Sequence, residues 1–133
     1  MGDPDAHRHD VMRTAYRFAA GFDDTPWMLL TSWEPLSLTR GTVISFPESG
    51  PHAGQSIPHR MAAIGITVDT WREDVCARPA SPDEAKRFDI AKGSILIVIE
   101  RAYYAGDQVV EVADIIVPAE ATKLVYNGPV GDR

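Results

Sequence analysis

Cysteine occurs once in the 133 residues, at Cys76. One thiol excludes an internal disulfide and supplies no zinc-ligand spacing. No motif sets a histidine or asparagine beside it, so a half-buried strand thiol is expected. The four histidines do not fill the gap. His7 and His9 fall in a polar N-terminal stretch, and His52 and His59 stand apart across a loop and a helix start, which is no metal-site pattern. The sequence therefore calls for no metal and no other cofactor. Basic residues are also scarce: 13 Lys and Arg stand against 19 Asp and Glu, a net charge of −6. There is no basic cluster and no segment resembling a recognition helix, which argues against nucleic-acid contact by this chain itself. Long apolar runs are missing too. The longest in the most hydrophobic region covers residues 95–99, far below the roughly 20 residues that span a bilayer as a helix. The opening "MGDPDAHRHD" has no apolar core of a signal peptide. A cytoplasmic protein without a membrane partner is expected.

What is present is an ordinary globular composition, 44% hydrophobic and 24% charged, in a chain long enough for one domain with a sizeable core. Residues 1–10 are expected to be a disordered tail, and residues 11–130 to fold. Residues 11–19 read as a strand with Met12, Tyr16 and Phe18 on one face and Arg13 and Arg17 on the other. Residues 27–33 follow as a nearly continuous apolar strand, and residues 36–40 as a single helical turn. Residues 41–55 form a long, glycine-rich loop of the kind that often carries function. Ser56 has the look of an N-cap, Pro58 is tolerated in the first turn, and Ile57, Met61 and Ile64 make one apolar stripe ended by Gly65. A polar strand over 67–78 precedes "SPDE", a capping box with proline at the first helical position. A hairpin over 94–118 and a last strand over 122–128 complete six strands and two helices. Hairpins dominate, so the reading is α+β, with a mostly antiparallel sheet and flanking helices. A weak internal echo links the segments after Arg17 and Arg101; each reads Arg, aromatic, Ala-Gly, Asp, apolar run, Pro. Two related hairpins in one sheet explain it most simply.

The 94–118 hairpin, "SILIVIERAYYAGDQVVEVADIIVP", carries Glu100, Arg101, Glu111 and Asp114 inside the most apolar part of the chain. With Gly106 and Asp107 as a two-residue turn, Tyr104 faces Val109, Arg101 faces Val112, and Asp114 is a diagonal neighbour of Arg101. A one-residue bulge would bring Arg101 towards Glu111 instead. Two explanations stay open for these charges. One is a solvent face carrying cross-strand ion pairs. The other is a polar hollow in an apolar sheet, where a guanidinium grips an anionic ligand in two-pronged fashion. In the second case backbone N–H groups at Ser56 and the loop before it would help enclose the ligand.

The ordered set "EDVCARPASPDEAKRFDIAKGSILIVIERAYYAGDQVVEVADIIVPAEATKLVY", with "GPHAGQSIPHRMAAIGI" and the 27–35 strand upstream, resembles a UTRA domain. That is the effector-binding domain of HutC-subfamily regulators in the GntR superfamily. The resemblance covers roughly residues 11–130. It implies a chorismate-lyase-like fold with a six-stranded sheet, a small-molecule effector, and a homodimer. It implies contact with DNA only through an upstream winged helix-turn-helix domain that this chain lacks, so that residues 1–10 would be a linker remnant. In members that bind phosphorylated sugars, arginines of the first hairpin hold the phosphate; here Arg17 matches, with Arg13 on the same face. A serine at the start of the long helix matches Ser56, and a tyrosine of the last strand matches Tyr126. The chain departs from that pattern at Pro58, where such members carry tyrosine, and at Leu30 or Thr31, where they carry glutamate.

Three functions follow as alternatives. The first is a ligand-sensing domain using Arg13, Arg17, Ser56, Arg101, Glu111, Asp114 and Tyr126 for an effector that the arginines would make anionic. The second is a chorismate-lyase-like enzyme using Arg101 with Glu111 or Asp114. The third is a ligand-free dimerisation module anchored by Trp27 and Trp33.

Overall fold

The computed structural model describes residues 11–19, 24–45, 52 and 54–131. The expected N-terminal linker, with His7 and His9, lies outside the described residues, as does most of 46–53. Two hairpins build the sheet. β1 (Val11–Ala19) pairs with β2 (Pro26–Pro35), and β4 (Ile95–Ala105) pairs with β5 (Gln108–Pro118). β2 and β5 join antiparallel, and β3 (Thr70–Pro79) closes on the outer side of β4, giving the order β1-β2-β5-β4-β3. Three short helices lie between: α1 (Leu36–Thr39), α2 (Ile57–Ala62) and α3 (Pro82–Phe88). The fold is α+β with an antiparallel sheet, as the sequence pattern implies, but the sheet has five strands among the described residues.

The expected sixth strand over 122–128 is not there. The chain leaves β5, an inner strand already paired on both sides by β2 and β4, and residues 122–128 run on without a backbone ladder. A 3-10 turn (Ala119–Ala121) follows Pro118, and Thr122 Oγ1 donates back to the Pro118 carbonyl at 2.7 Å. The apolar alternation of Leu124, Val125 and Tyr126 thus belongs to extended chain without a ladder partner.

Side chains of paired residues share a face of a sheet. The register therefore puts Leu29, Leu96 and Ile116 on one face, where Ala80, Ala85, Phe88 and Ile90 cover them. The capping box fixes where α3 starts. Ser81 accepts from the Glu84 N–H, and Glu84 accepts from the Ser81 N–H at 2.8 Å. Arg78 grips the same carboxylate at 2.7 and 2.8 Å and, with the Ser81 contacts, holds its pKa down at about 2. The opposite face carries Ile99, Ile115 and Val117, with Met28, Leu30 and Ile97 beside them. Towards one end of that face, α2 and the turn that follows it seat Ile57, Met61 and Ile64 over Ile44 and Val110, the stripe that the helical spacing dictates.

One irregularity decides which charges face which way. Tyr104 pairs with Val109, as a two-residue turn requires, but Tyr103 pairs with Glu111, leaving Val110 without a cross-strand partner. This is a β-bulge. Residues 110 to 113 are consequently buried in succession where a regular strand would alternate. Beyond the bulge Arg101 sits opposite Ala113, and Glu111 emerges on the same face as Arg101. In an unbulged ladder Glu111 would point to the other face.

Candidate functional site

A hollow of about 480 Å³ opens between the sheet and α2, within the size range of small-molecule sites. Its apolar walls are Tyr16, Phe18, Leu30, Ile57 and Tyr103. Its polar groups are Ser32, Arg60, Arg101 and Glu111, with Gly54, Gln55 and Ser56 at the start of α2.

The floor is built by three adjacent strands, β2, β5 and β4. Glu111 is 1% exposed. Ser32 Oγ of β2 donates to its Oε2 at 2.7 Å, and Arg101 Nη2 of β4 donates to its Oε1 at 3.1 Å. Arg101 also lies over the Tyr103 ring, 4.9 Å from the centroid, a cation–π contact. Arg101 Nε is buried and has no hydrogen-bond partner. An unpaired buried donor costs about 1–3 kcal/mol.

The roof is held by a second ion pair. Arg60 of α2 is buried; its Nη1 donates to both oxygens of Glu34 at 2.9 Å, and its Nη2 donates to the Ile44 carbonyl at 2.8 Å. One guanidinium thus ties α2 to β2 and to the start of the 41–55 loop. Burial pushes the Glu34 carboxyl above the ordinary carboxylate range. The Arg60 hydrogen bonds and charge oppose this without cancelling it, and the Glu111 charge adds to it. Ser56 caps α2 loosely, accepting from the His59 N–H at 3.4 Å.

Of the residues singled out from the sequence, the structure brings Ser56, Arg101 and Glu111 to the hollow. Four others stand elsewhere. Arg13 and Arg17 are exposed on the opposite face of β1, because strand alternation gives the cavity face to Tyr16 and Phe18. Asp114 pairs with Glu100 and Thr31 on the face away from the hollow. Tyr126 stops one strand short. Its hydroxyl donates to Glu73 at 2.9 Å, which raises the phenol pKa, and Glu73 is the β3 neighbour of Arg101. Arg60, Glu34 and Ser32 went unread in the sequence. Arg60 follows the α2 stripe as one more polar helix residue, and its partner Glu34 is 26 positions away; nothing local announces the pair. Cys76 is exposed on β3. Among the described residues no group of His, Cys, Asp or Glu is arranged to hold a metal ion, and no helix is long and apolar enough to cross a membrane.

Residues 21–123 match the family model of the UTRA domain. The chain belongs to the UTRA domain family. Among solved structures, this UTRA domain is similar to a protein assigned to the GntR family of transcriptional regulators, with 40% identity and a TM-score of 0.84 over 91% of this chain. It spans 50% of that protein's length. It shares its fold with the C-terminal domain of the histidine utilization repressor from Pseudomonas syringae, at 20% identity and a TM-score of 0.61, covering 80% of this chain and 72% of that one. It shares it also with the ligand-binding domain of a GntR-family regulator from Bordetella bronchiseptica, at 20% identity and a TM-score of 0.65, covering 88% and 74%. No curated protein matches the chain.

Proposed function

We propose that this UTRA domain is the effector-sensing part of a GntR-family transcription regulator, and that the hollow between the sheet and α2 is where the effector binds. The observation that carries this is the half-buried Arg101, which lines the hollow and whose Nε has no hydrogen-bond partner among the described residues. A donor left without a partner at the wall of a cavity of this size is a binding feature first and a folding feature second. Ser56 at the mouth and Glu111 on the floor are the other groups proposed to touch the ligand. DNA contact belongs to a separate domain in the longer regulator, and two copies of the sensing domain would relay the effector's presence to it through a change in their mutual orientation.

The enzyme reading needs a poised acid. Glu111, the acid that it would use, already accepts from Ser32 and Arg101, an arrangement suited to holding a ligand.

A thermal-shift screen over sugars, sugar phosphates, amino acids and organic acids tests the proposal. A true effector raises the melting temperature progressively with concentration, worth about 2.7 kcal/mol at a hundredfold excess over Kd, and Arg101→Ala removes the rise. No shift with any class would count decisively against sensing.

A further inference from the structure

The charges around the hollow compensate one another, and this points to the chemistry of the ligand. Arg60 donates to both oxygens of Glu34 and has one further bond committed to the Ile44 carbonyl. Arg101 is bonded to Glu111, and Glu73 stands opposite it on β3 as a further carboxylate. Two guanidinium groups therefore meet at least two carboxylates, and the site has no surplus positive charge among the described residues. A phosphate ester carries close to two negative charges, and sites that grip one present cations or N–H groups in excess. Here a dianion would meet Glu111 at the floor, and like charges brought together at an interface repel.

The same floor does suit a ligand that carries both signs close together. Arg101 Nη2 and Glu111 Oε1 are 3.1 Å apart, Arg101 Nε is a free buried donor, and a carboxylate has about four lone-pair sites, of which Ser32 and Arg101 occupy two. A carboxylate on the ligand can take the Arg101 N–H while an ammonium or other N–H group beside it donates to Glu111. The walls around this point, Tyr16, Phe18, Leu30, Ile57 and Tyr103, are apolar and largely aromatic. Resting on the sensing role proposed above, we infer that the effector is a zwitterion of the α-amino-acid type, with one carboxylate, one adjacent N–H donor and an apolar or aromatic body, and that phosphate esters are excluded.

Calorimetry with one body and four charge patterns tests this: L-phenylalanine, 3-phenylpropionate, 2-phenylethylamine and phenyl phosphate, with glucose 6-phosphate and the branched-chain amino acids alongside. The zwitterions should bind at least about tenfold more tightly than the acid or amine that lacks one charge, and phenyl phosphate should bind weakest. Glu111→Gln should reverse the order, weakening the zwitterions and strengthening phenyl phosphate by about tenfold or more. Should that variant not fold, the ranking on the unaltered protein decides alone. Tighter binding of phenyl phosphate or glucose 6-phosphate than of any zwitterion would overturn the inference while upholding a sensing role. Silence from every probe would overturn it too, and the broader screen would then decide whether sensing itself survives.

Discussion

At the scale of single residues, the buried Arg60–Glu34 pair shows why a site can be invisible in a sequence yet govern a structure. A guanidinium and a carboxylate that are 3% and 2% exposed are costly to desolvate, and their attraction roughly offsets that cost. Removing one partner leaves the other buried and unpaired. Arg60→Met is therefore expected to lower stability by about 3–5 kcal/mol, measured by chemical denaturation. The double variant with Glu34→Leu should lie closer to the unaltered protein than either single change does. A double variant as unstable as the sum of the singles would show that the two side chains act independently and would contradict this account of the pair. Arginine at the third turn position of a short helix reads as a solvated side chain, and only the tertiary partner 26 positions away corrects that reading. By contrast Arg101 and Glu111 were legible, because charges inside an apolar hairpin demand partners wherever the register falls. Arg13 and Arg17 illustrate the opposite case. Period-two alternation put them opposite Tyr16 and Phe18, and the structure keeps them there; only the family analogy drew them towards a ligand.

At the scale of elements, local chemistry carried most of the fold. The Ser81 capping box, the Ile57, Met61 and Ile64 stripe and the Gly106 turn each specify an element by short-range contacts, and each element stands where those contacts put it. The bulge at Val110 was legible only as one of two options. It inserts no glycine and no change of composition; its cause is packing, since Val110 is fully buried against Met61 and Ile44. The expected last strand has no backbone ladder: residues 122–128 meet the edge strand β3 through the side-chain bond of Tyr126 to Glu73. The bulge makes a sharp test possible. Val110→Ala keeps the extra residue and should cost on the order of 1–3 kcal/mol through lost burial, with effector response retained. Deleting Val110 removes the inserted residue and should leave Glu111 opposite Tyr103 on the face of Arg101, so stability falls while the thermal shift by the effector persists. A folded deletion variant that has lost the effector response would contradict this register.

At the scale of the whole molecule, the sheet acts as a platform with two assignments. One face is covered in part by α3, and the other at one end by α2, which leaves a hollow whose floor and roof each carry an ion pair. Because Arg60 links α2, β2 and the 41–55 loop, a ligand in the proposed site would act on three elements at once. That is the physical requirement for a ligand signal to leave its site. The claim on which this rests is that the Arg101 Nε–H is the group the ligand completes. Proton–nitrogen NMR of arginine side chains reads that group directly. Its resonance is assigned by its loss in Arg101→Lys and followed during titration with a compound that raises the melting temperature. The expected result is a shifted Nε–H signal with slowed solvent exchange at saturation; a compound that binds and stabilises the domain while leaving that signal unmoved would contradict the account.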